Sequence, residues 1–321
     1  MLTKPDTPTA HSHSSGSKAL TLPLMLLLAG CATTSPLARH TAAFSTATNV
    51  VVDNSENAYR VAVRIHDDEQ ISAIVQKYDS NQPWDPHSIK HLIDAKGLET
   101  RTDILNGLKT YAQSLADIAN NVQSDQLDAA ATSVGANLKK MGDTLNPTDT
   151  DTAPRALAPG ITIAPQQANA VSAALKALGD YLVNKKVKSG VPKVIRDMDP
   201  QIDALCKLLD SDLVVLRRQS GNDYEQLLVQ QDMFIRKFGG TLSPTERRAE
   251  IKKLPQILAR KEATDAMLQE LQESIHTLAQ THHALAATAQ SSSAASLNER
   301  IADLKASGER LAHFYSSLPT T

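Results

Sequence analysis

Residues 243–288, SPTERRAEIKKLPQILARKEATDAMLQELQESIHTLAQTHHALAAT, decide the fold. Ser243-Pro244-Thr245-Glu246 joins a capping hydroxyl to a proline suited to the first helical position and a glutamate three residues on that reaches back to the cap, so a helix starts here. Pro255 predicts a kink in it. Beyond, Leu268, Leu271, Ile275 and Leu278 alternate spacings of three and four, and His282 breaks the series before Leu285. The run covers about two heptads, short of the three or four that argue a coiled coil, so bundle packing is the expectation.

Working outward, Ser296-Leu297-Asn298-Glu299 repeats the capping box and opens a last helix toward Tyr315. Upstream, Gly239-Gly240 and Gly221 punctuate the chain, and Asp199-Pro200 sets a cap acceptor and a proline before Ile202, Leu205, Leu208 and Leu209. Val171, Ala174, Leu175, Leu178, Leu182 and Val183 form another stripe, which weakens near Gly190 and Pro192. Residues 146–165, with four prolines and a Thr/Asp run, make the longest interior break. Before it, Ser124 caps a segment carrying Leu127, Val134, Leu138, Met141 and Leu145. A longer stripe runs from Ile104 to Val122, and Asp85-Pro86 opens a helix with Ile89, Leu92 and Ile93, which Gly97 ends or bends. Tyr59, Val61, Val63 and Ile65 alternate with polar residues as a strand does, yet no second convincing strand pairs with them, so a helix toward Tyr78 is preferred.

The expected fold is therefore all-α: an elongated bundle of about six to seven helices over residues 57–321, as one body or as two halves, 57–146 and 166–317. Composition agrees, since aromatic residues are only 3% of the chain and hydrophobic residues 41%. With 33 basic and 35 acidic residues, no net field recruits nucleic acid. Two cysteines exclude a disulfide scaffold and a Cys-based zinc cluster.

Lys4 and Lys18 precede a short apolar run, residues 19–28, which ends in Ala29-Gly30-Cys31, the layout of an export signal. The run is too short for the ~20 residues of a bilayer span. Leu28-Ala29-Gly30-Cys31 resembles the lipobox of bacterial lipoproteins. That resemblance implies cleavage before Cys31, a diacylglycerol thioether on its sulfur and acylation of its freed amine, with no cofactor beyond those chains. Ala32, where the family's inner-membrane retention signal often shows Asp, implies the periplasmic face of the outer membrane. Residues 1–30 then read as a removed signal and 31–56, rich in Ala, Ser and Thr, as a flexible tether. The mature chain would carry 31 basic and 34 acidic residues, once Lys4, Lys18 and Asp6 are gone.

The search for chemistry returns mostly absences: no His-Glu-x-x-His, no glycine-rich phosphate loop and no Gly-x-Ser-x-Gly occur. His87 and His91, four apart, can share a metal with Asp85 or Asp94, or are solvated histidines on an exposed face. His276 and His283 stand two turns apart, about 10 Å, too far to chelate one ion, and with His282 they read as solvated or half-buried. Lys185, Lys186, Lys188, Lys193 and Arg196 make an acid-free patch that either docks an anionic glycan or lipid or complements a helix C-terminus. Cys206, amid Ala204, Leu205 and Leu208, reads as a buried inert thiol. The function expected is a membrane-anchored, non-enzymatic interaction or scaffold module of the cell envelope, meeting an envelope protein. A small-molecule or metal-binding bundle is the alternative, and an envelope enzyme without a motif the third.

Overall fold

A computed structural model describes residues 35–321 except 82, 84–91, 123–124, 146–154, 159–160, 185–189, 290–294 and 318–321. In chain order the described residues form α1 (Pro36–Asp79), α2 (Ala95–Ala119), α3 (Asp125–Thr144), β1 (Arg155–Ala158), β2 (Ile161–Ile163), α4 (Pro165–Asn184), α5 (Val191–Phe238), α6 (Pro244–Thr288) and α7 (Ala295–Ser317). These helices build an all-α bundle, and Thr34–Thr321 form one compact unit.

The largest departure from expectation is α1. Helix occupies Pro36 to Glu56, where a tether was expected, and its inner face buries Ala38, Phe44, Ala47, Val51 and Val52. The stretch reads as unstructured because its buried positions include Thr41, Ser45, Thr48 and Ser55, which count as polar. Thr41 Oγ1 donates to Leu37 O at 3.0 Å and Ser55 Oγ to Val51 O at 2.7 Å, so these hydroxyls enter the core bonded to the preceding turn. The alternating Tyr59–Ile65 segment lies within the same helix, as preferred.

Asp94 is the N-cap of α2, its carboxylate accepting from Gly97 N at 2.6 Å. Gly97 therefore sits in the first turn and breaks nothing; Leu92 and Ile93 precede the helix, while Asp85, Pro86 and Ile89 lie outside the described residues. The helix stops before Asn121, whose φ of 55° only a few residue types tolerate, and exposed Val122 falls beyond it. The antiparallel pair α3 and α4 packs backbone against backbone. A Cβ on Gly179 would stand 2.6 Å from Gly135 O, and Ser172 Oγ donates to Gly142 O at 2.7 Å. Between them the proline-rich break carries a short ribbon, β1 against β2, that buries Leu157, Ile161 and Ile163; a three-residue Ile-Thr-Ile alternation is too brief to register as a strand.

No helix starts at Asp199-Pro200: α5 runs through Pro200 from Gly190, with Pro192 in its first turn, and also passes through Gly221. At 1.5 Å per residue its 48 residues span about 72 Å. The capping box of α6 forms in full, Ser243 N donating to Glu246 Oε2 at 2.9 Å and Glu246 N to Ser243 Oγ at 3.3 Å. The α6 helix continues through Pro255 to Thr288. In the turn before it, a Cβ on Gly239 would meet Ile235 O at 2.4 Å. Ser296 lies inside the first turn of α7, which begins one residue earlier.

One charged pair is sealed in this apolar interior. Arg101 donates from Nε and a terminal nitrogen to the two Asp212 oxygens at 2.7 and 2.6 Å and from its other nitrogen to Gly97 O at 3.0 Å. Its guanidinium also lies 5.7 Å from the centre of the Tyr59 ring. Three helices, α1, α2 and α5, are thereby tied at one level.

Candidate functional site

The break in the α6 apolar series is where the polar groups of the core converge. His282 occupies the next inward position after Ile275 and Leu278, so the helix carries an imidazole into the bundle, where it is fully buried. From α5, Asp199 reaches across and accepts from His282 Nδ1 at 2.9 Å through one oxygen and from His283 Nδ1 at 2.8 Å through the other. From α2, the Tyr111 hydroxyl meets His282 Nε2 at 2.9 Å. Rings from α1 and α4 close the shell: Phe44 stands edge-on to His282 at 5.8 Å and Tyr181 edge-on to Tyr111 at 5.2 Å.

The network assigns its own protons. An ionised carboxylate only accepts, so Nδ1 of His282 carries its hydrogen toward Asp199 and Nε2 accepts from Tyr111. Burial lowers the His282 pKa, more than the bond to Asp199 raises it, which keeps the ring neutral. Burial raises the Tyr111 phenol well above its usual value, so it remains a donor. At Asp199 partial burial works upward, but the hydrogen bonds from His282 and His283 outweigh it and hold the carboxyl below the ordinary range. The result is a chain Tyr111–His282–Asp199–His283 that runs from the core to an exposed histidine. Its order resembles a hydroxyl–imidazole–carboxylate relay, but the hydroxyl is a buried phenol held protonated, which suits the ordering of a core.

Outside the relay lies a groove of about 630 Å³ between α5, α6 and α7, lined among others by Asp199, Asp203, Cys206, His276, His283 and Arg300. Asp203 pairs with Lys207 at 2.7 Å, and Arg300 donates to Gln280 at 2.8 Å, so both charges are already engaged. Cys206 is free and buried, and burial pushes its thiol far up.

The residues singled out by sequence fare differently. His87, His91, Lys185, Lys186 and Lys188 lie outside the described residues, as do Leu28, Ala29, Gly30 and Cys31. Asp94, a suggested third ligand, is committed to capping α2. Among the described residues no group of three His, Cys, Asp or Glu side chains is placed to hold a metal. Lys193 pairs with Asp197 one turn on, and Arg196 is exposed. The expectation that His282 is solvated or half-buried is overturned, and Asp199 serves this histidine instead of capping a helix. The place of His282 in the spacing of three and four was the available signal; its partners stand 83 and 171 positions away in sequence. No described helix is long and apolar enough to cross a membrane. No protein-family model, curated protein or solved structure matches this chain.

Proposed function

We propose that the chain is a lipid-anchored lipoprotein of the bacterial cell envelope, attached to the outer membrane on its periplasmic face, whose helical bundle is a non-enzymatic interaction or scaffold module. The observation that carries the reading is the lipobox-like Leu28-Ala29-Gly30-Cys31 at the end of a short apolar run. The bundle is consistent with it: its buried relay orders the core, and half-exposed Val229 and Met233 on α5 and Ile71 and Val75 on α1 offer apolar contact surface. Acyl chains contribute about 0.8 kcal/mol per buried methylene, and two or three of them anchor durably where one does not.

Growth with an alkyne-tagged palmitate tests the anchor. The tag is expected on the wild-type chain and absent from Cys31→Ser; an untagged wild type, or a tagged Cys31→Ser, refutes it. A second reading, a small-molecule-binding bundle, is favoured by the groove beside Asp199 and His283. It requires native mass spectrometry to show a bound mass that His283→Ala diminishes.

A further inference from the structure

The last two turns of α6, residues 281–288, are seated differently from the turns before them. Upstream, the helix buries Met267, Leu268, Leu271, Ile275 and Leu278 in the core. In the last two turns Leu285 and Ala286 are the buried apolar side chains, and the remaining ties are polar. His282 stands between Tyr111 and Asp199, His283 bonds the second Asp199 oxygen, and Thr281 Oγ1 donates to Thr277 O at 2.7 Å and Arg300 O at 3.2 Å. A helix end held this way opens at lower cost than the interior of the same helix.

The tie from α2 holds only while His282 is neutral. Its Nε2 accepts from the Tyr111 hydroxyl at 2.9 Å. A proton on Nε2 turns that acceptor into a donor, so two donors face each other, and the phenol must give up its bond and turn its hydrogen away. The new charge also occupies a fully buried position. We propose that residues 281–288 form an acid-released segment latched by His282: a proton taken from solvent at Nε2 breaks the Tyr111 bond and lets the segment leave the core. Release uncovers Phe44 and Tyr111 and removes His283 and Ala284 from the wall of the groove beside Asp199, so acidity reshapes that groove.

The groups around the latch set its direction. From α5, Asp199 favours the charged ring, and from α6 itself, His283 opposes it; burial outweighs both and holds seated His282 below 6.5. From α2 and α4 come the phenols Tyr111 and Tyr181, both pushed up by burial and therefore protonated. On α1, His40 lies one turn before Phe44, and on α7 the Arg300 guanidinium is engaged by Gln280, which also donates to His276 Nε2. Once released, His282 meets water and titrates at its ordinary 6.5. Below that pH the released form therefore gains up to about tenfold per pH unit, until the seated ring itself takes the proton.

The test is amide hydrogen exchange of the full chain in mild detergent, followed by mass spectrometry from about pH 7.5 to about pH 5 and corrected for the intrinsic effect of pH. Exchange of peptides covering 281–288 is expected to rise by up to about tenfold per pH unit below 6.5, while 264–278 of the same helix stays protected. His282→Gln abolishes the rise and His283→Gln keeps it. If His282→Gln also strips protection from 264–278, His282→Met takes its place. A flat profile in the wild type overturns the proposal. So does a rise shared equally by 264–278, which is global unfolding, a rise that survives the loss of His282, which hands the proton to His40 or another group, or one that vanishes with His283→Gln.

Discussion

Replacing Asp212 by alanine isolates what the sealed charge pair does. Both side chains are almost wholly buried, 1% and 3% exposed, and both carboxylate oxygens are occupied by Arg101. The substitution leaves the guanidinium in place, still bonded to Gly97 O and beside the Tyr59 ring, but without its carboxylate. Stranding one member of a buried pair costs about 3–5 kcal/mol, whereas exchanging both for apolar groups of similar volume is close to neutral or even stabilising. Against a total stability of roughly 5–15 kcal/mol the single change is severe. Urea unfolding followed by circular dichroism should show a midpoint far lower for Asp212→Ala, with most of the loss recovered when Arg101→Met is added to Asp212→Leu. A loss below about 1 kcal/mol for Asp212→Ala, or a double variant as unstable as the single one, would refute the reasoning.

Two glycines in helices should respond oppositely to alanine. Gly179→Ala drives a Cβ to 2.6 Å from Gly135 O and should cost about 1–3 kcal/mol as α3 and α4 separate; Gly221→Ala meets nothing within 4 Å and should gain about 0.4–1 kcal/mol, and thermal melts that rank them the other way defeat the packing argument. Acid should destabilise the fold, because His282 has a folded pKa below its unfolded 6.5: as pH falls from 6.5 toward the folded value, the unfolded chain takes up a proton that the native state refuses. His40, also lowered by burial and by Arg39, adds in the same direction, and Asp199, depressed below 3.8, contributes stability that is lost only in stronger acid. Urea midpoints measured between pH 7 and pH 5 should therefore fall more steeply for the wild type than for His282→Gln; equal slopes would show that His282 is not the group involved. Cys206 should resist iodoacetamide in the native chain and react only in urea, and rapid native labelling at this position would contradict its burial.

What the sequence disclosed follows from how each signal is encoded. The start of α6 was legible to the residue, because a capping box and a first-turn proline are local chemistry that needs no distant partner. The same local logic misled at Asp199-Pro200, where a long helix tolerates the proline and the aspartate answers to α6. The first half of α1 was missed because Thr41, Ser45, Thr48 and Ser55 interleave with Ala38, Phe44, Ala47, Val51 and Val52 on its inner face and break the apolar period in the letters, while the Thr41 and Ser55 hydroxyls bond to the preceding turn. The site was half legible. His282 stood at an inward position of a readable series, but a polar residue there reads as an interruption unless its carboxylate and phenol partners are known, and both come from other helices.

Those partners give α5 a role beyond filling space. Along one helix, Asp199, Asp212 and Asp223 each accept from a different neighbour: His282 of α6, Arg101 of α2 and His66 of α1. A core made mostly of Leu, Ile, Val and Ala changes little in energy when one helix slides by a turn, since similar side chains then fill similar holes. A buried carboxylate changes a great deal, because a slide of one turn, about 5.4 Å, removes its donor and strands the charge. Each pair contributes little to net stability while excluding the displaced registers, which is the best-attested use of buried polar groups. The sealed Asp212 contact and the partly buried contacts of Asp199 and Asp223, spaced along about 36 Å of α5, hold α1, α2 and α6 against one ruler. The parallel alignment of α1 and α5 follows from the last of these contacts taken with the bond that Lys237 donates to Ser80.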